Sequence, residues 1–387
     1  MSPALAERMN AITAFHVMSL LQRGKQLEAL GRDVIHMEIG EPDFPTPTAV
    51  IGAGCRFIES GEIKYTSPAG LPALREAIAG FYLSRYGVHV DPARIFVTPG
   101  ASGAFLIAFA ITLNTDQSLM MADPCYPCNE NFLHLLGAKA QYIAVDATSR
   151  FHLNADLVRK HWQPDTAGVL IASPANPTGT LIEDAELSKI VQLVDDKQGF
   201  FFSDEIYHGL SYAGKAETAL TYSPNTFVVN SFSKYFGMTG WRIGWLVVPE
   251  AFIGAAEKIA QNVFISTSTH SQYAALAAFE PDNLLELDRR RDEFQTRRDF
   301  LYAELTRLGF KIKVKPDGAF YLYADCSAFT QNSFQFAQEL LETEAVAVTP
   351  GIDFGHYNAD THIRFAYTVS IERMREAIIR MERFLCR

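Results

Sequence analysis

A single lysine, Lys234, lies in a largely apolar stretch that runs from Ser231 to Arg242 and contains two glycines. A lysine amine becomes a nucleophile toward aldehydes when its surroundings are dry enough to favour the neutral form. The hydroxyls of Ser231 and Ser233 and the guanidinium of Arg242 are suited to hold a phosphate dianion beside that amine. Pyridoxal 5′-phosphate is an aldehyde that carries a phosphate, and proteins hold it as a Schiff base with lysine. Most lone lysines are solvated surface charges, so the prediction depends on further residues that this cofactor requires.

Three polar residues near the ends of hydrophobic runs match those requirements. The pyridine nitrogen stays protonated only beside a carboxylate, and Asp204 ends the run 200–203 at the edge where open α/β sheets bind ligands. Tyr207 and Asn176 are placed to donate hydrogen bonds to the phenolic oxygen of the ring. Each residue has an ordinary alternative. Asp204 could cap a helix, and Asn176 precedes Pro177 in a turn where a cis peptide bond is plausible.

The phosphate group also calls for backbone amides at the start of a helix. Residues 98–104 combine a strand end, a glycine turn and small side chains, so an anion could approach the backbone at Ala101 and Ser102. Tyr126 follows another hydrophobic run and could stack on the pyridine ring, although a buried structural tyrosine is the plainer interpretation. Each of these signals is weak alone, since many glycine turns bind nothing.

Hydrophobic runs and helical patterns alternate along most of the chain, which predicts an α/β fold with a largely parallel sheet. The runs are almost continuously apolar, which indicates strands covered on both faces. We predict strands at residues 94–98, 118–122, 141–145, 168–172, 199–203 and 226–230, and helices at 71–86, 102–113 and 183–195.

From about Leu284 the pattern changes to that of a smaller α+β domain. We predict a large cofactor-binding domain at residues 46–284 and a small domain formed by residues 1–45 together with 285–387. Within the C-terminal part, the predicted elements are a charged helix over 286–308, a hairpin of 311–314 with 319–324, a helix over 333–342, two short strands and an amphipathic helix over 371–384.

Composition narrows the class of protein. The chain of 387 residues has a formal net charge of −10, which argues against nucleic acid as a partner because phosphate neutralisation needs clustered Lys and Arg. Five cysteines are too few for a disulfide scaffold, and the isolated pair Cys125 and Cys128 has no second pair to complete a metal site, so no metal is predicted. The first residues have no apolar signal-peptide core, and the longest apolar run, 104–111, is too short to span a bilayer. We therefore expect a cytoplasmic enzyme that binds no membrane.

These motifs resemble those of fold-type I pyridoxal-phosphate-dependent aminotransferases of class I/II, the aspartate aminotransferase superfamily. The resemblance extends from about Ala14 to Phe384, and it implies a mostly parallel seven-stranded sheet flanked by helices plus a smaller α+β domain. The matching segments occur in the family's order at Gly40-Glu41-Pro42-Asp43-Phe44, at 64–70, at 100–103, at Asn176-Pro177-Thr178-Gly179, at Asp204-Glu205-Ile206-Tyr207, at 231–242 and at His362-Ile363-Arg364-Phe365.

The resemblance implies a role for each site residue. Lys234 would form the Schiff base and move the substrate's α-proton, and Arg364 would bind the substrate α-carboxylate as a planar bidentate donor. Tyr65 matches a tyrosine that reaches the phosphate from the neighbouring subunit, which implies a homodimer. Asp204 would pair with the pyridinium nitrogen, Asn176 and Tyr207 would donate hydrogen bonds to the phenolic oxygen, and Tyr126 would stack on the ring. The phosphate would be bound by Ser231, Ser233, Arg242, Ser102 and the Ala101 backbone. Gly40 would lie near the substrate carboxylate.

The implied reaction moves an amino group from an L-amino acid to a 2-oxo acid in two half-reactions with ping-pong kinetics. In one bacterial aspartate aminotransferase subgroup, a lysine of the glycine turn binds the distal carboxylate of the substrate. The matching position here is Gly103, which favours a neutral, aliphatic or aromatic donor, with 2-oxoglutarate or pyruvate as acceptor.

Other functions stay open. An aspartate aminotransferase and a carbon–sulfur lyase that eliminates from cysteine conjugates fit the same fold and cofactor residues, as does γ-elimination. A cofactor-binding regulator fits poorly, because the chain is acidic and the resemblance begins too early to leave room for a helix-turn-helix. A generic nucleotide-binding protein would need a dinucleotide fingerprint or a P-loop, and the sequence has neither.

Overall fold

The computed structural model describes residues 4–212, 214 and 216–386. Its helices, in chain order, are α1 His16–Ala29, α2 Thr48–Glu59, α3 Pro72–Tyr86, α4 Gly100–Ala110, α5 Cys128–Leu136, α6 Ala155–His161, α7 Asp184–Asp196, α8 Ile253–Val263, α9 Thr269–Leu276, α10 Pro281–Leu308, α11 Ser333–Glu344 and α12 Ile371–Leu385. Its strands are β1 Ile35–His36, β2 Ile95–Thr98, β3 Ser118–Asp123, β4 Lys139–Ala144, β5 Thr166–Ala172, β6 Phe200–Asp204, β7 Phe227–Ser231, β8 Gly244–Val247, β9 Tyr321–Asp325, β10 Val346–Ala347, β11 Thr349–Pro350 and β12 His362–Ala366.

The central sheet has seven strands in the order β2-β8-β7-β6-β5-β3-β4. Its neighbours pair in parallel except at β8, which runs antiparallel to both β2 and β7. Separate hydrophobic clusters cover its two faces, with Phe202 in one cluster and Phe201 in the other. The alternation of inward side chains between two buried faces explains why these strands read as continuous apolar runs. The predicted α/β fold with a mostly parallel seven-stranded sheet is therefore confirmed.

The direction of the strands places the chain's polar turns at one edge of the sheet. The parallel strands β2, β3, β5, β6 and β7 all end there, and the antiparallel β8 begins there. A residue just after one of the parallel strands, or just before β8, is therefore brought to the same edge. This topology fixes where the motifs of the sequence meet.

A second set of strands belongs to the N-terminal and C-terminal parts of the chain. β9, β11 and β12 form an antiparallel three-stranded sheet, and β1 pairs in parallel with β10. The pairing of β1 with β10 links residues before 46 to residues after 284, as the predicted division into domains requires. The division at 45/46 and 284/285 itself stays a prediction.

The six strands predicted from the sequence all occur, with ends shifted by no more than two residues. One prediction fails, and several elements were missed. The hairpin of 311–314 with 319–324 is absent from the described residues, where the first segment contributes only an isolated bridge between Lys311 and Asp325, and β9 pairs regularly with β12 instead. The short strand β8 was not predicted, nor were α8 and α9.

Within the part of the chain that the structure describes, no helix is both long and apolar enough to cross a membrane.

Candidate active site

A cavity of about 690 Å³ lies at the edge of the sheet where the parallel strands end. All but one of the predicted site residues line it, although they come from segments spread over more than 300 positions. Those residues are Gly40, Ala101, Ser102, Tyr126, Asn176, Asp204, Tyr207, Ser231, Ser233, Lys234, Arg242 and Arg364. The exception is Tyr65, which does not line the cavity and is 80% exposed.

Lys234 follows β7 and its side chain enters the cavity. The Nζ atom donates a hydrogen bond of 2.6 Å to the carbonyl oxygen of Gly40. Burial lowers the pKa of the Lys234 ammonium to about 8, and the positive charge of Arg364 acts in the same direction. The amine is therefore much closer to its neutral, nucleophilic form at neutral pH than a surface lysine is.

Asp204 ends β6 and is almost completely buried. Burial raises the pKa of its carboxyl to about 7, while the backbone amide of Ile206 and the charge of Lys234 oppose that rise. The Ile206 amide donates to Oδ1 at 3.2 Å, but residues 206–209 form a turn and not a helix, so Asp204 does not have the helix-capping role considered from the sequence. No cation forms an ion pair with Asp204 among the described residues. A buried carboxylate without a cation suits a protonated ring nitrogen placed against it.

The phosphate-binding residues predicted from the sequence converge at the start of α4. Gly100, the first residue of that helix, has φ +68°, and a Cβ there would lie 2.8 Å from Nη2 of Arg242. Gly244, at the start of β8, packs closely against the same turn, because a Cβ on it would lie 3.0 Å from the Ala101 nitrogen. The hydroxyls of Ser231 and Ser233 lie 2.9 Å apart beside this turn. Two glycines thus keep a cradle of amides, hydroxyls and one guanidinium open for an anion.

Arg364, on β12, is buried and also lines the cavity. Its Nη1 donates to Oδ1 of Asn176 at 2.9 Å, and its Nη2 donates to the carbonyl oxygen of Glu38 at 2.6 Å. Its Nε has no hydrogen-bond partner among the described residues, and no carboxylate pairs with it there. A buried guanidinium with spare donors and no counter-ion is suited to bind a carboxylate.

Sequence reasoning missed Tyr321, which connects two of these groups. Its hydroxyl lies 2.8 Å from that of Tyr207, and the guanidinium of Arg364 lies 4.3 Å from the centre of its ring. Tyr321 falls in the predicted strand 319–324, where an aromatic residue is ordinary, so no local signal distinguished it. Asp353 and Phe354 were missed as well and also line the cavity.

Gly103 is not the residue of the glycine turn that faces the substrate site, contrary to what the sequence had indicated. Gly103 is buried and does not line the cavity, and a Cβ there would lie 2.7 Å from Pro99 and 3.5 Å from Phe264. A side chain at 103 would therefore meet the packing around the helix start. The residue of this turn that lines the cavity beside Ala101 is Ser102. Ser102 carries no positive charge either, so the turn still offers no cation to a distal carboxylate.

The fold and the cavity together define a class of enzyme. The cavity holds a poised lysine, a buried carboxylate without a cation, and two guanidinium groups, of Arg242 and Arg364, that have no carboxylate partner among the described residues. That donor set fits pyridoxal phosphate, with one guanidinium for its phosphate and another for a second anionic group. These are the features of a fold-type I pyridoxal-phosphate enzyme.

Comparisons with known proteins agree. The family model for aminotransferase class I and II matches residues 32–381, and the chain belongs to this family. It is 36% identical to a valine–pyruvate aminotransferase of Mycobacterium tuberculosis, over 97% of each chain, and 32% identical to an aspartate aminotransferase of Bacillus subtilis, over 98% of each. A crystal structure of an aminotransferase from M. tuberculosis covers all of both chains with a TM-score of 0.96 at 36% identity. The protein is accordingly an aminotransferase whose cofactor is pyridoxal 5′-phosphate, as the sequence predicted.

Proposed function

We propose that the protein transfers the amino group of a neutral, aliphatic or aromatic L-amino acid to a 2-oxo acid such as pyruvate or 2-oxoglutarate. The observation that carries this proposal is the number of cations in the cavity. Among the described residues, its positively charged lining consists of Lys234, Arg242 and Arg364. The proposed roles of these three use all of them, on the cofactor aldehyde, the cofactor phosphate and the substrate α-carboxylate.

Apolar side chains elsewhere in the lining support a substrate with a neutral side chain. Phe15, Val17, Met18, Ile39 and Phe354 provide an apolar wall. A carboxylate pressed against such a wall would lose its hydration without gaining a partner, which is costly. The valine–pyruvate aminotransferase among the relatives fits this preference, whereas the aspartate aminotransferases do not.

The chain's own residues account for the chemistry as follows. Bound pyridoxal phosphate supplies an electron sink that stabilises negative charge at the substrate Cα. Asp204 would keep the ring nitrogen protonated, and Tyr207 and Asn176 would bind the phenolic oxygen. Tyr126 would stack on the ring. The neutral amine of Lys234 would take the proton from the substrate Cα. Arg364 holds the α-carboxylate, with Gly40 beside it, so that the Cα–H bond faces Lys234.

The phosphate is assigned to the cradle at the start of α4. The Ala101 backbone, Ser102, Ser231, Ser233 and Arg242 would bind it, because amides, hydroxyls and a guanidinium converge there.

We also propose that the protein is a homodimer in which Tyr65 reaches the partner's phosphate site. Tyr65 lies in the segment between α2 and α3, which rests on α9 through a bond of 2.6 Å from the Thr269 hydroxyl to the Lys64 carbonyl. Large apolar side chains of α2, this segment and the α8–α9 region are exposed there: Ile51, Ile58, Ile63, Val263, Ile265 and Tyr273. Exposed apolar side chains that are grouped in this way favour contact with another protein chain. A cytoplasmic location likewise remains a prediction.

The substrate proposal is tested by the cofactor's absorbance in single half-reactions. The holoenzyme is mixed with alanine, leucine, phenylalanine or aspartate, with no oxo acid present, and the loss of the yellow band is followed. We expect the neutral donors to bleach the band at least about tenfold faster than aspartate at equal concentration, since an unpaired carboxylate costs a few kcal/mol. Faster bleaching by aspartate would contradict the proposal and would indicate a cation supplied by another subunit.

The same experiment separates the elimination alternative. A carbon–sulfur lyase would release pyruvate and ammonia from a cysteine S-conjugate and would keep its yellow band with simple amino acids. A transaminase would instead lose the yellow band in proportion to the amino acid consumed, and an oxo acid would be needed to restore the band.

A further inference from the structure

The apolar wall of the cavity is formed partly by the first turn of α1. Phe15 immediately precedes this helix, and Val17 and Met18 belong to its first turn. All three line the cavity, more than 200 positions in sequence from Lys234. The position of this helix start therefore decides where the wall stands relative to the substrate.

The start of α1 has no cap of its own. Its N-cap residue is Phe15, whose side chain cannot accept a hydrogen bond, so the first amides of the helix need partners from elsewhere. Asp353 supplies them. Its Oδ1 accepts from the His16 amide and its Oδ2 accepts from the Val17 amide, each at 2.8 Å. A carboxylate at this end of a helix is also favoured by the helix dipole.

Asp353 is in turn held firmly next to the substrate site. It is 6% exposed, lines the cavity and forms no ion pair within the described part of the chain. The next residue, Phe354, places its ring 4.7 Å from the guanidinium of Arg364, and its carbonyl accepts from the Cys125 amide at 2.8 Å. The turn that carries Asp353 is thus tied both to the carboxylate-binding arginine and to the segment after β3.

We propose that Asp353 is a positioning residue for donor selectivity: by capping α1 it fixes the wall formed by Phe15, Val17 and Met18 against the substrate side chain. This inference rests on the proposed neutral-donor function and adds the residue that sets its side-chain preference. A bulky apolar donor depends on the wall, whereas alanine, with a single methyl group, touches it least. Asp353 itself contacts backbone amides and takes no part in proton transfer.

The test compares leucine and alanine half-reactions in the holoenzyme. In Asp353→Ala we expect the leucine rate to fall by about tenfold, because the uncapped start of α1 no longer holds the wall in place, and the alanine rate to change by less than about twofold. Asp353→Asn keeps one acceptor oxygen and should give an intermediate loss. Asp360→Asn, at an exposed position in the short helix Ala359–Thr361, is the matched control and should keep the wild-type ratio.

A double-mutant cycle distinguishes an effect through the wall from a general loss of structure. If Asp353 acts through the wall, its effect on the leucine rate should shrink when Met18 is already replaced by alanine, so the two losses should not add. Equal losses for leucine and alanine, no loss for either, or additive losses in the cycle would each overturn the inference. These outcomes are distinct from failure of the proposed function, which would appear in the wild-type enzyme as a preference for aspartate.

Discussion

Lys234 lies at a position where burial and a neighbouring guanidinium both disfavour its charged form. Because these effects lower its pKa to about 8, the neutral fraction of the amine should rise about tenfold between pH 7 and pH 9 and then level off. We therefore expect cofactor-free protein to form the yellow band about tenfold faster at pH 9 than at pH 7, with a plateau above. An ordinary lysine would give a rate that still climbs steeply at pH 10, and that profile would contradict the assigned environment.

Replacement of Lys234 tests its proposed double role. Lys234→Ala should lower the rate of the half-reaction by at least about 10²-fold, since general acid–base catalysis contributes 10² to 10⁴. Lys234→Arg should be as inactive, because an arginine keeps its proton at any working pH. Rapid-mixing absorbance measures both variants after loading with cofactor. Near-normal turnover in either one would exclude Lys234 as the base.

At the scale of elements, the junction of β2 and α4 depends on a glycine. Gly100→Ala would impose a side chain at φ +68° and push it against Arg242. We expect a loss of about 1–3 kcal/mol of stability and a clearly weaker affinity for pyridoxal phosphate, measured by thermal unfolding and by cofactor titration. Gly80→Ala is the control, because Gly80 lies within α3 and a Cβ added there would meet no other atom within 4 Å, so the substitution should be neutral or slightly stabilising. Unchanged cofactor affinity in Gly100→Ala would contradict the proposed phosphate cradle.

The positions of the secondary-structure elements explain which parts of the fold and site could be predicted from the sequence. Lys234, Asp204 and Asn176 were identifiable because each lies beside a strong hydrophobic run, and parallel strands bring such positions to one edge. Tyr321 and Asp353 were not, because their partners, Tyr207 and the start of α1, lie more than 100 residues away. The prediction of the hairpin was wrong for a related reason, a pairing with a segment distant in sequence. The amides of Asp317 and Gly318 both donate to the carbonyl of Gly179, so the turn pairs with the Asn176 loop instead of closing a local ladder.

At the scale of the whole molecule, Tyr65 is the one predicted site residue that a single chain leaves outside the cavity. Its proposed place in the partner's site is testable with hybrid dimers that combine a Lys234→Ala chain and a Tyr65→Phe chain, purified through two different tags. If Tyr65 acts across the interface, one of the two sites in each hybrid contains both an intact lysine and an intact tyrosine. The hybrid should then show about half of the wild-type activity per dimer, and the Lys234→Ala homodimer should be at least about 10²-fold less active than wild type.

If Tyr65 acts within its own chain, the expected activity of the hybrid is different. If Tyr65 served the site of its own chain, the only lysine-bearing site of the hybrid would lack the tyrosine hydroxyl. Loss of a hydrogen bond to a charged phosphate costs about 1.5–3 kcal/mol, so the Tyr65→Phe homodimer should be roughly 10- to 100-fold weakened in a step that depends on that bond. A hybrid no more active than half of that homodimer would contradict sharing of the sites. Sedimentation of the wild-type protein as a monomer would contradict the dimer itself, and the apolar surface around Ile58 and Ile265 would then need another partner.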